Sequence, residues 1–260
     1  MNFSALVAAY NKPIKDIPLM LALDKCDNLF IYVCDNSTDA NIKLENKRFA
    51  DEFDRVIYVD MGGNAGISRA FNAALGMSSG DIICYFDDDT VVPDNYFDEA
   101  AAAVHSNPAA LYLPLVYSGE RLLSPLVVEG LCIHAVNEPS RLRGKELTGF
   151  NTGMFLSREL ALEFEHDESL FLDFVDHAYC EQIRGAGIAI RIAQKIVLQQ
   201  DYSRETNSIS AALFRSKITE RDVRQFYRRT LAGRIYAAMY IAYLRMRNTL
   251  KYRTLEFIKA

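Results

Sequence analysis

DIICYFDDDT, residues 81–90, sets five apolar residues directly before three consecutive carboxylates. A short unbroken run of this kind, rich in β-branched and aromatic side chains, predicts a strand buried on both faces, as in a parallel sheet. The carboxylates at its end repel one another unless water or a cation neutralises them. The stretch therefore predicts both an architecture and a place where charge is concentrated.

Working outward, similar runs occur at 3–10 (FSALVAAY), 29–35 (LFIYVCD) and 55–60 (RVIYVD), with helix-compatible stretches such as ISRAFNAALGMS (67–78) between them. The order β-α-β-α-β-α-β implies an α/β fold with a mostly parallel central sheet flanked by helices on both faces. Ligands of such sheets bind outside the carboxyl ends of the strands, and the polar clusters YNKP, DNSTD and DDDT all fall there. Further on, the pattern predicts a helix near 94–105, strands at 110–117 and 188–199, an extended segment at 127–136, and a strand end followed by a helix over MFLSRELALEFE. Another helix ends at Gly185–Gly187, and only helices follow from about 211. We divide the chain into a catalytic region, 1–210, and a basic helical extension, 211–260.

The chain has 260 residues, half of them hydrophobic, which is enough for a sizeable core. Its net charge of −5 argues against nucleic acid as a general partner. The charge is uneven, because residues 211–260 hold twelve Lys/Arg and three acids. Five widely spaced cysteines with no CxxC pair are expected to be reduced core residues of a cytosolic protein. The N-terminus lacks the basic and apolar regions of a secretory signal, and the apolar stretch IYAAMYIAYL (235–244) is half the roughly 20 residues a spanning helix needs.

Four constellations could carry chemistry. Asp87 and Asp89 flank one residue, so period-two alternation turns both towards one hard cation, Mg²⁺ or Mn²⁺, whose shell a diphosphate would complete. An acidic strand-to-helix cap would use the same residues. Asp35 ends the second strand, where its carboxylate could accept from a pyrimidine imide with Tyr10 covering the base; an Asx-turn explains DNS without a ligand. In GGNAGISRAFNAAL, three glycines allow close backbone approach before a helix start, but neither the GxGxxG spacing nor a GK[ST] is present. Last, Asp173 and Asp176 lie three apart in LFLDFVDHAYC, which on a helix gives them one face and the means to act as a general base; acids at a solvated helix start would look alike. No histidine has ligand spacing.

AAYNKP, CDNSTD, GGNAGISRAFNAAL, FDDDT, TGFNTGMFLSRE and FLDFVDHAYCEQIRGAG together resemble the family 2 glycosyltransferases of GT-A fold, over about residues 3–200. They look most like the bacterial rhamnosyltransferase-type branch that builds O-antigen and capsule polysaccharides. The resemblance implies that Asp35 contacts the base, Asn64 and Gly66 line the nucleotide pocket, and Asp87 and Asp89 hold the metal and diphosphate. It further implies that Asp176 is the catalytic base of an inverting transfer and that Asp173 helps shape the acceptor site. The implied partners are a nucleoside diphosphate sugar, dTDP-rhamnose or a UDP-hexose or UDP-galactofuranose, and a saccharide or lipid-linked acceptor. Two departures stand out: Ala178 and Tyr179 replace the acid and the approach to a tryptophan expected after the base, and Gln199, Gln200 and Asp201 stand where a metal-side histidine is common.

Three readings of the basic extension stay open: contact with an anionic membrane, a homodimer seam, or packing on the catalytic core. Two other functions fit single features. DDDTVV also matches the nucleophile motif of haloacid-dehalogenase-like phosphatases, with Asp87 attacking phosphorus, although that motif normally lies on an early strand. A non-catalytic nucleotide-sugar-binding subunit would retain the fold without turnover.

Overall fold

The computed structural model describes residues 1–200 and 208–259. Strands β1 (Phe3–Ala9), β2 (Leu29–Asp35), β3 (Val56–Asp60), β4 (Ile82–Phe86), β5 (Ala110–Ser118), β10 (Met154–Ser157) and β11 (Ala189–Gln199) form one sheet in the order β11-β5-β10-β4-β1-β2-β3. β1 pairs in parallel with β2 and β4, β2 with β3, and β5 with β11; β10 runs antiparallel between β4 and β5. Reversing β10 brings its amino end, and the loop before it, to the same edge as the carboxyl ends of β4 and β1. A short β6 (Arg121–Ser124) pairs with β5. β7 (Leu126–Glu129), β8 (Cys132–His134) and β9 (Leu147–Thr148) make a separate antiparallel sheet.

The central strands are apolar on both faces because both faces are covered. Phe3, Ala5, Val7, Cys84 and Phe86 point into one core with Tyr96, Phe97 and Ala100 of α3 (Tyr96–Ser106). Leu6, Cys34, Ile83 and Tyr85 point into the other with Phe71 and Ala74 of α2 (Ile67–Met77) and Tyr179 and Ile183 of α5 (Val175–Gly185). α1 (Ala40–Ala50) starts where the Asp39 carboxylate accepts from the N–H groups of Asn41 and Ile42 at 2.8 and 3.2 Å.

The structure differs from the expected pattern in four places, one being that 127–136 is an antiparallel hairpin turning at Gly130 and Leu131 and not one extended segment. The β1–β2 connection holds no α-helix; Pro13 and Pro18 restrict it to 3-10 turns at Ile14–Asp16 and Pro18–Ala22. The helix after β10, α4 (Arg158–Ala161), is a single turn. Of the cysteines, Cys34, Cys84 and Cys180 are buried and Cys26 half-buried, but Cys132 is exposed, where its Sγ accepts from Tyr236 at 3.6 Å.

The chain ends in α6 (Ile209–Phe226), α7 (Leu231–Tyr252) and α8 (Glu256–Lys259). Val223 and Tyr227 pack against Ala237 and Ile241 of α7. Gly233 permits the approach, because a Cβ there would lie 2.5 Å from the Tyr227 carbonyl oxygen. The Tyr227 hydroxyl donates to Leu131 O at 2.9 Å, tying this helical layer to the β7–β8 hairpin. No helix among the described residues is long and apolar enough to cross a membrane.

Candidate active site

The carboxyl edge of the sheet gathers most of the expected side chains. Asp87 follows β4, Thr152 precedes β10, and Gln200 follows β11. The Thr152 hydroxyl donates to Asp87 Oδ2, and Gln200 Nε2 donates at 3.3 Å to both Asp87 Oδ2 and Asp89 Oδ1. An amide donor thus bridges the two carboxylates expected to share a cation. Burial pushes the Asp87 carboxyl up to about 6; the Thr152 and Gln200 hydrogen bonds oppose the shift, and the charges of Asp89 and Asp176 add to it. Asp176, in the first turn of α5, therefore belongs to the same electrostatic cluster.

Asp88 is held apart from this pair. Lys12 Nζ donates to the Asp88 carbonyl oxygen at 2.5 Å and lies 3.4 Å from its Oδ1, which links the loop after β1 to the loop after β4. Lys12 and Thr152 lie within the quoted stretches YNKP and TGFNTG, but their partners could not be read from the sequence, being 76 and 65 residues away.

Asp35 is wholly buried. Its Oδ1 accepts from the Ser37 N–H at 2.9 Å, the Asx-turn allowed by DNS, and its Oδ2 accepts from Asn46 Nδ2 at 2.9 Å and the Tyr58 hydroxyl at 3.0 Å. Asn46 also accepts from Ile14 N–H at 2.8 Å and donates to Lys12 O at 3.1 Å, so one buried α1 side chain ties the β1–β2 connection to the end of β2. Tyr10 is half-exposed at the end of β1. Asn64 is exposed.

Gly66 caps α2 at φ 88°, and a Cβ there would lie 2.7 Å from the Phe171 ring and 2.8 Å from its carbonyl oxygen. Ile67 N–H donates to Phe171 O and Ser68 Oγ to Leu170 O, at 2.8 and 2.7 Å. The glycine-rich segment thus grips the 165–173 loop, and part of the α2 amino terminus is occupied by protein carbonyls.

Contrary to the expectation from their spacing, Asp173 does not share a helix face with Asp176. α5 begins only at Val175, after Phe174 in a left-handed conformation at φ 64°. Asp173 is buried, with Oδ1 2.7 Å from Arg215 Nη2 and Oδ2 accepting from the Thr219 hydroxyl at 2.6 Å, both on α6. The buried Asp222 carboxylate, also on α6, accepts from the N–H groups of Phe171, Leu172 and Asp173 at 3.1, 2.8 and 2.9 Å. The Phe174 ring packs 5.0 Å from Phe226. A bulky residue at positive φ is uncommon, and this one is fixed on both sides by α6 immediately before Asp176. Asp176 Oδ1 accepts from His177 N–H at 2.8 Å, and the His177 ring meets the Thr148 hydroxyl at 2.9 Å.

Among the described residues no three His, Cys, Asp or Glu side chains could by themselves hold a metal ion. Two carboxylates joined through an amide are nonetheless a hard-oxygen set, which Mg²⁺ or Mn²⁺ accepts when water and phosphate oxygens supply the rest. Gln200 presents a carbonyl oxygen as well as its amide. Asp201, the other expected candidate, lies outside the described residues.

A family model described as glycosyl transferase family 2 matches residues 4–161. The chain is 24% identical over 208 residues, 75% of its length and 67% of the other protein, to a Shigella flexneri protein named dTDP-rhamnosyl transferase RfbF. Its fold resembles that of the Pyrobaculum calidifontis mannosyltransferase PcManGT, solved with GDP-Man and Mn²⁺ (TM-score 0.62, 15% identity, 98% of this chain and 73% of that one). It also resembles GalNAc-T7, solved with UDP, GalNAc and Mn²⁺ (TM-score 0.63, 13% identity, 78% of this chain), of which it spans only 44%.

Proposed function

The chain belongs to glycosyl transferase family 2, and from that membership we propose an inverting, metal-dependent transfer of a sugar from a nucleoside diphosphate to a saccharide or lipid-linked saccharide in surface polysaccharide synthesis. The observation that carries this reading is the meeting of Asp87, Asp89 and Gln200 with Asp176 at one edge of the sheet. The matched residues 4–161 include the DDDT run, which removes the ground for reading it as a phosphatase nucleophile. The likeness to RfbF favours dTDP-rhamnose as donor, ahead of a UDP-hexose or UDP-galactofuranose.

In this scheme Asp87 and Asp89 would hold Mg²⁺ or Mn²⁺, and Gln200 would bring its carbonyl to the ion only by turning over the amide whose Nε2 now donates to both carboxylates. Bound there, the ion would supply positive charge to the departing diphosphate. Asp176 does the proton work. Its Oδ1 is engaged by His177 N–H, which leaves Oδ2 to take the proton of the acceptor hydroxyl. The hydroxyl oxygen then bonds to the anomeric carbon as the bond to the diphosphate breaks on the opposite face. The proton ends on Asp176 and the electron pair leaves with the nucleoside diphosphate. Tyr10, Asn64 and Gly66 line the nucleotide side. Asp35, expected to contact the base, is buried with both oxygens accepting from Ser37, Asn46 and Tyr58, so it supports the base pocket through that network, and Asp173 shapes the acceptor side by anchoring the loop before Asp176. We keep 211–260 as an extension of a catalytic region 1–210, with α6 contributing to the site's framework.

A thermal-shift screen of nucleotide sugars with Mg²⁺ or Mn²⁺ tests the assignment. At about a hundredfold excess over Kd, the donor should raise Tm by about 5–10 °C. The Asp87→Ala/Asp89→Ala double variant should lose the cation-dependent part of that shift. Its undiminished persistence would refute the metal site.

A further inference from the structure

Surface helices ordinarily show solvent a polar face, and α7 does not. Leu231, Ile235, Met239, Tyr243, Met246 and Leu250 are each more than half exposed. At about 100° per residue they form one continuous stripe, with exposed Ala232 and Ala242 lying within it. The opposite face, with Gly233, Ala237, Ile241 and Leu244, is already buried in the protein. The apolar stripe therefore covers roughly a third of the helix circumference and, from Leu231 to Leu250, runs about 30 Å. An exposed apolar surface of this extent on a water-facing helix marks an interaction site.

The flanking charges indicate what covers it. Arg234 borders the stripe on one side, and Arg247 borders it on the other. α7 contains no Asp or Glu. The acids nearest in sequence are engaged elsewhere: Glu220 binds Arg245 through two contacts of 2.8 and 2.6 Å, and Asp222 is buried. Glu256 on α8 is the remaining acid of residues 211–259. A second copy of the chain docked stripe to stripe would set these cationic borders against their own equivalents with no anionic complement. A bilayer with anionic headgroups complements both features, taking the leucine, isoleucine and methionine side chains below the headgroups while the Arg and Lys stems extend back to the phosphates. Tyr243 has the amphipathic ring favoured at that depth.

We propose that α7 docks lengthwise on an anionic membrane surface through the Leu231–Leu250 stripe, leaving its Ala237–Leu244 face on α6. The proposal rests on the charge and exposure of α7 and stands apart from the transfer reading.

The test is flotation of the full-length protein with vesicles, read without nucleotide or acceptor. The wild type should rise with vesicles of phosphatidylcholine and phosphatidylglycerol and remain below with phosphatidylcholine alone. Met239→Glu/Met246→Glu, which places charge on already exposed positions, should weaken partition by at least about tenfold. Arg234→Glu/Arg247→Glu should weaken it as well, and added salt should weaken wild-type binding. Unchanged melting and an unchanged far-ultraviolet circular dichroism spectrum would show that both variants are folded. Equal flotation of wild type and both variants, or a wild type that stays below with anionic vesicles, would overturn the proposal. A concentration-dependent dimer dispersed by Met239→Glu/Met246→Glu, without flotation of the wild type, would assign the stripe to self-association instead.

Discussion

The acidic runs Asp87–Asp89 and Asp173–Asp176 have the same side-chain chemistry but are held in opposite ways. The first is built from its own strand end, and its two outer carboxylates face each other across the Gln200 amide. The second is positioned from a distance by α6, which takes both oxygens of Asp173 and caps the loop through Asp222. The contrast shows that a carboxylate's work follows from which of its oxygens the fold already satisfies. Asp35, Asp173 and Asp222 have theirs committed to protein donors. Asp87, Asp89 and Asp176 instead bring like charges together, an arrangement that costs free energy until a cation, a proton or a substrate enters.

The sharpest way to break the comparison is to treat the two aspartates of the second run alike. Asp176→Asn should lower the transfer rate by about 10³-fold with the donor-induced thermal shift retained, as expected for loss of a general base. Asp173→Asn should leave a part-exposed Arg215 without its partner and cost about 1–2 kcal/mol of stability, read by urea unfolding, with far more transfer remaining. Similar kinetic losses in both variants would erase the distinction. A wild type that binds donor but transfers nothing to any acceptor would point to the non-catalytic subunit.

What was legible in the sequence follows the same division. The DDDT run could be placed because an apolar strand and period-two alternation are local properties, and so could the strand-end clusters of an α/β sheet. The position of Asp173 could not, because its partners Arg215 and Thr219 lie 42 and 46 residues further on, in a helix whose periodicity does not reveal what it packs against. The same holds for Asn46, whose role comes from meeting Asp35, Lys12 and Ile14 in space. The missing helix between β1 and β2 was a local misreading, since Pro13 and Pro18 already argued against it. The brevity of α4 was not local. RELALEFE favours a helix, but Asn72 takes both the N–H and the C=O of His166, at 2.8 and 3.0 Å, and draws the chain away towards α2.

Asp222 offers an intermediate effect that sharpens the contrast. Asp222→Ala leaves three N–H groups of the 171–173 loop without their carboxylate and should destabilise the protein by about 2–4 kcal/mol in urea unfolding. Asp222→Asn keeps one acceptor oxygen and should recover part of that loss. Because the loop leads into Asp176, the transfer rate should fall in both variants while donor binding at Asp87 and Asp89 is kept. Equal loss of donor binding would mean that α6 supports the whole edge and not the second run alone.

The smallest expected effect is a pH dependence that measures how closely the two runs are coupled. The Asp87 carboxyl is raised from 3.8 to about 6, so the folded protein holds a proton there that the unfolded chain has already released. Folded stability without cation should therefore fall as pH rises from about 4 to 6, because between those values the native state binds more protons. Cation binding needs the ionised carboxylate, so the apparent Kd for Mn²⁺ with nucleotide should worsen about tenfold per pH unit below 6 and level off above it. Asp176 is one of the charges that raise Asp87. Asp176→Asn should accordingly shift the midpoint of this titration downward, whereas Asp173→Asn, whose carboxylate is neutralised by Arg215, should leave it in place. Titrating calorimetric Mn²⁺ affinity in the three proteins checks both statements. A midpoint indifferent to Asp176 would separate the base from the metal pair and leave two acidic runs that share an edge without sharing a field.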